Sequence, residues 1–127
     1  MNEWTWQQTM RECLLNNDEL KNWVKGIFPL YVPENTDFPF IVYMTTNMFT
    51  QSDKDVRYHS FNISFSLSIV CLRYPDLKKY TEIVNDTLLQ EFGKYCKNFS
   101  LDGMSEDVDT DTNQPVYYSV MSYSFNL

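Results

Sequence analysis

The chain is 127 residues long, 43% hydrophobic and 17% aromatic, with a formal net charge of −7 from 17 acidic and 10 basic residues. That length sets one domain over residues 1–127 with enough material to bury a core, and the aromatic content excludes a disordered chain. The acidic balance without a Lys/Arg cluster excludes wrapping of nucleic acid, because each phosphate contact needs a cation.

The opening stretch MNEWTWQQTM lacks a basic start and an apolar run, so no signal peptide is expected. No window supplies the roughly 20 apolar residues that cross a bilayer, and a soluble intracellular product is expected. From about Thr5 to Val24 the chain reads as helix, with Trp6, Met10, Cys13 and Leu14 on one face at three- and four-residue steps. Asn16-Asn17-Asp18 predicts a break, with Asn17 or Asp18 capping a short continuation that stops at Gly26. The proline-rich segment IFPLYVPENTDFPF cannot be a central strand, although Ile27 to Val32 is placed to pair weakly at a sheet margin.

Phe40 to Phe49 (FIVYMTTNMF) has strand composition, and the polar run Thr50 to Asp55 predicts a hairpin loop. The return strand is the clearest signal in the chain. In HSFNISFSLSIVCL, Phe61, Ile63, Phe65, Leu67, Ile69 and Cys71 alternate with Ser60, Asn62, Ser64, Ser66 and Ser68. Successive side chains of a strand point to opposite faces, so one face is apolar and the other wet. The hairpin is longer than a small sheet needs, and its tip is expected to project. Pro75-Asp76 opens a helix whose stripe Leu77, Tyr80, Val84, Leu88 and Phe92 is a core face, with Gly93 as its terminator. Asn98 to Met104 reads as a weak strand and Val116 to Leu127 as a strong one, separated by an acidic loop over 102–113. The fold class is therefore α+β: a single antiparallel sheet with a long β-hairpin and two helices packed on one face, in the order α-β-β-β-α-β-β.

Little in the chain points to a reactive centre. His59 is the only histidine, which excludes a multi-histidine metal site, and it reads as a structural side chain. Three glycines, none close to another, cannot form a phosphate-cradling loop. Cys13, Cys71 and Cys96 have no CxxC spacing and read as small buried hydrophobes, as a reducing compartment allows. Asp107, Asp109, Asp111 and Asn113 match the start of a calcium loop, but Thr112 and Tyr118 stand where its glycine and its glutamate belong. A solvated hairpin loop is the simpler reading, and no cofactor, metal or catalytic activity is expected. The surplus aromatics Phe49, Tyr58, Tyr117 and Tyr118 fit an interface, where such rings bury large area at low entropic cost.

Several segments taken together resemble the small tail-completion, or tail-terminator, proteins of bacteriophages and prophages. They are LLNNDELKNWVKGIFPLYVP after a short helix, TDFPFIVYMT at a strand start, the long alternating strand, YPDLKKYTEIVNDTLL and the Tyr-rich final strand. The resemblance covers nearly the whole chain, and PFIVY is its one motif-like segment. It implies a virion structural protein, assembled in the bacterial cytoplasm and located in the tail or neck. Such a homo-oligomer, usually a hexameric ring, caps the tail tube and joins it to the head connector or head-completion protein. DNA would pass through without specific binding, and no membrane is involved. Interface candidates are Phe49, Lys54, Arg57 and Tyr58 at the hairpin, with Asp107, Asp109 and Asp111 facing a channel or partner. The alternatives are another neck or head–tail joining protein, a non-viral adaptor of the same core, or a small ligand- or metal-binding protein that uses the acidic loop.

Overall fold

The computed structural model describes residues 1–52 and 59–127. Helix α1 (Trp6–Leu15) starts where the Asn2 carbonyl accepts from the Thr5 and Trp6 amides, and it buries Trp6, Met10, Cys13 and Leu14. The break falls at Asn16-Asn17, as its polar run predicts. Asn17 caps α2 (Asp18–Trp23) by accepting from the Leu20 amide at 3.1 Å, and its Nδ2 donates to Thr87 Oγ1 at 3.3 Å. Asp18 and Glu19 in the first turn favour the positive end of the helix.

The sheet contains β1 (Ile27–Pro29), β2 (Phe40–Ser52), β3 (His59–Cys71), β4 (Lys97–Asp109) and β5 (Val116–Asn126), in the spatial order β1-β2-β3-β5-β4. Helix α3 (Tyr74–Gln90) follows β3, and a 3-10 turn over Phe92–Tyr95 leads into β4. The α+β class holds, with three corrections. The sheet is mixed, because β1 pairs parallel to β2 through Ile27↔Ile41, Phe28↔Val42 and Pro29↔Tyr43. Three helices cover its one face instead of two, since the break at Asn17 makes α2 an element of its own. The third concerns β4, which runs 13 residues to Asp109, so most of the expected acidic loop is strand and only 110–115 forms the turn. Gly93 does not end α3, which closes at Gln90 as the Glu91 amide donates to the Thr87 carbonyl. Gly26 is required by crowding, because a Cβ there would meet the Phe28 ring at 2.3 Å.

Register carries the serine alternation through the sheet. Ile63, Phe65 and Leu67 of β3 lie opposite Phe125, Tyr123 and Met121 of β5, and all six are buried under the helices. Ser64 and Ser66 lie opposite Ser124 and Ser122 on the uncovered face. In β2 the pairing shifts between Thr45 and Asn47, where one extra residue forms a bulge. The core is centred on Phe65, whose ring lies within 5.0–6.4 Å of Trp6, Phe92, Phe99, Tyr123 and Phe125. Trp23 of α2 stacks on Tyr80 of α3 at 3.7 Å, which ties the two helices together.

Candidate assembly surfaces

Four surfaces of the sheet are open, and each owes its exposure to the topology. The hairpin is the first. Thr50 to Ser52, expected in the loop, continue β2 and pair with β3, so the hairpin extends as far as Ser52↔His59. Phe49 pairs with Asn62 on the uncovered face and is 48% exposed, the position expected of an interface aromatic. Lys54, Arg57 and Tyr58 lie outside the described residues.

The outer edge of β4 is the second. Its residues are exposed along almost the whole strand, and Asp107 and Asp109 stand on it opposite Tyr118 and Val116. These two aspartates are therefore strand positions on one face, while Asp111 follows in the turn with its amide bonded to Asp109 Oδ1 at 2.9 Å. The structure separates them from Phe49, which sits on the far side of β3 and β5. The charge of Asp107 raises the pKa of Tyr118. Among the described residues no group of three or more His, Cys, Asp or Glu converges as a metal site would. An acidic edge of this kind resists pairing with a second acidic strand.

The third surface is a groove of about 610 Å³ between α3 and β4. Helix α3 lies over β3 and β5, so the core-side row of β4 overhangs its cover. Leu101 and Met104 form one wall and remain 38% and 48% exposed; Pro75, Lys78 and Lys79 of α3 form the other. At one side of the groove Lys78 Nζ meets Glu106 Oε1 at 2.8 Å. That bond holds the Glu106 carboxyl below its usual range and the Lys78 ammonium above it. Deeper anchors join the helix to β5: Thr81 Oγ1 to Ser119 Oγ at 3.1 Å, and Tyr123 Oη donating to Asn85 Oδ1 at 2.8 Å.

The fourth is the opposite margin, at β1 and β2. Strand β1 stops after three residues, leaving β2 beyond Met44 without a described neighbour on that side. Leu30 and Tyr31 follow β1 and are 70% and 74% exposed, and Trp4 ahead of α1 is 75% exposed. These three were not singled out among the surplus aromatics. Their signal in the sequence was their position outside every periodic stripe: Trp4 is off the Trp6/Met10 face, and Leu30-Tyr31 sits between Pro29 and Pro33.

The cysteines lie apart from these surfaces or beneath them. Burial raises all three thiols, Cys96 to about 11, and so suppresses the reactive thiolate. Comparison with protein-family models gives no match, and comparison with curated proteins gives none either. The resemblance to tail terminators thus rests on the order of elements and on PFIVY, which forms the start of β2 and its pairing with β1 and β3.

Proposed function

We propose that the protein is a structural subunit of the tail-terminator kind, forming a closed homo-oligomeric ring that caps a phage or prophage tail tube and offers the head connector a docking surface. The observation that carries this reading is the inequality of the two sheet margins. One margin is a long acidic edge beside an apolar groove; the other is a short parallel strand with three exposed apolar side chains. A ring needs two different surfaces on each subunit, because like-to-like contacts close after two copies. The uncovered face, lined with Ser64, Ser66, Ser122 and Ser124, is short-chained and uncharged, which suits stacking against another ring. The net charge of −7 suits a conduit that must not grip DNA.

The test is tube assembly. The tail tube protein encoded beside this chain is polymerised with and without it, and tube lengths are measured by negative-stain electron microscopy. The expected result is shorter tubes of narrower length distribution with a cap at one end. Tubes of unchanged length without caps refute the reading. The metal-dependent alternative loses its premise, since Asp107 and Asp109 belong to an extended edge strand and not to a ligand-gathering loop.

A further inference from the structure

The exposed side chains at the β1 margin have no role in the fold's own core, and one of them is held in an unfavourable backbone. Leu30 has φ 68°, in the left-handed region that a branched-side-chain residue adopts only at a cost, and it presents its side chain to solvent. Its amide is fixed by the Tyr43 carbonyl at 2.8 Å, so the turn that projects Leu30 and Tyr31 is built onto β2. Two residues further along β2, Thr45 Oγ1 accepts from Gln7 Nε2 at 2.9 Å. The turn after β1 and the turn ahead of α1 therefore reach the same stretch of the sheet margin, and they bring Leu30, Tyr31 and Trp4 to it. At the other margin lies the groove walled by Leu101 and Met104.

We propose that a second copy of this chain docks head-to-tail, with Leu30 and Tyr31 of one subunit seated in the α3–β4 groove of the next and Trp4 against its rim. The proposal deepens the ring reading and rests on it for closure. Size supports the fit. Three side chains of this kind present roughly 400 Å² of apolar surface, about half of what each partner buries in a standard interface. The flanking polar rims account for the remainder. Charge supports the same pairing. Glu3 and Glu34 flank the apolar residues in the sequence, and Lys78 and Lys79 stand at the groove with their ammonium groups exposed. Like-to-like pairing of β4 edges would instead set Asp102, Asp107 and Asp109 of two copies side by side, which is repulsive. The knob and the groove differ, so the contact repeats around an axis in place of closing after two copies.

A mixing experiment tests this. Leu30→Gly combined with Tyr31→Ser removes the knob and leaves the groove; Met104→Lys closes the groove and leaves the knob. Glycine tolerates the φ of position 30, and Met104 is exposed, so both variants are expected to fold; Met104→Gln replaces the lysine variant if it does not. Native mass spectrometry and light scattering should find the unmodified chain in assemblies larger than a dimer. Each variant alone should be monomeric, with self-association weakened roughly tenfold or more. An equal mixture of the two should form a one-to-one pair and nothing larger, because one intact knob meets one intact groove. An unmodified chain that stays monomeric, variants that assemble unimpaired, or a mixture that forms no pair overturns the proposal. Variants that assemble unimpaired and still shorten tubes leave the ring reading standing while this contact falls. Assembly that follows the mixing rule without any effect on tube length does the reverse.

Discussion

Replacing Phe65 by alanine removes the side chain on which the core converges. Phe65 is fully buried at the centre of β3, and five other rings surround it from α1, the 3-10 turn, β4 and β5. The truncation withdraws roughly 150 Å² of apolar surface, and at about 25 cal/mol per Å² this is about 4 kcal/mol. The surrounding rings are anchored on four separate elements, so the site collapses poorly and the loss falls within the about 3–5 kcal/mol of buried Phe-to-Ala changes. Urea unfolding followed by tryptophan fluorescence at low protein concentration measures it, with the midpoint compared at constant slope. Dilution matters, because assembly would add apparent stability of its own. Phe49→Ala is the matched control: the same chemical change at a half-exposed position on the uncovered face should cost less than about 1 kcal/mol. A loss below about 1.5 kcal/mol for Phe65→Ala, or equal losses for the two variants, would refute a core organised around β3.

Three further outcomes follow from the local chemistry. Asn17→Ala removes the cap of α2 and its bond to Thr87, and should cost about 1 kcal/mol in the same unfolding assay, with Asn17→Asp recovering most of it. Glu106→Gln deletes the partner of Lys78. Because the folded-state pKa of Glu106 is lowered, the pair contributes above the unfolded carboxylate pKa and is lost as pH falls through the folded value. The variant should therefore melt slightly below the parent at neutral pH and level with it in strong acid, as differential scanning calorimetry at the two pH values would report. Burial raises the Cys96 thiol from 9.0 to about 11, a shift that lowers its thiolate fraction at neutral pH about a hundredfold. Maleimide labelling followed by mass spectrometry should find Cys96 slow in the folded protein and all three cysteines fast in denaturant.

What the sequence made legible was whatever carried its own periodicity. The alternation of β3 predicted both its length and its buried row, and the stripe of α3 predicted Leu77, Val84 and Leu88 in the core. Elements held by neighbours were harder to read. Strand β4 has almost no buried face, so nothing in KNFSLDGMSEDVD alternates strongly, and its 13 residues are extended because β5 supplies the ladder. The acidic run looked like a loop for that reason. The parallel pairing of β1 is set by the connection around Phe38 and Pro39, which no local pattern encodes. Among the candidate surfaces, exposure at Phe49 was foreseen from its place at the hairpin end. Leu30, Tyr31 and the α3–β4 groove were not, because a groove is a mismatch between the width of a helix layer and that of the sheet beneath it. Single-residue patterns do not register such a mismatch.

The bulge in β2 has a consequence for how this chain tolerates length changes. Ile41, Tyr43 and Thr45 point one way, and after the extra residue so do Met48 and Thr50, as their partners Ile69, Leu67, Phe65, Ile63 and Phe61 require. Thr46 is thus a spare link, and excising it would splice two in-phase halves into one uninterrupted ribbon. Removing any other residue from β2 would invert everything downstream of the cut, turning greasy groups toward water.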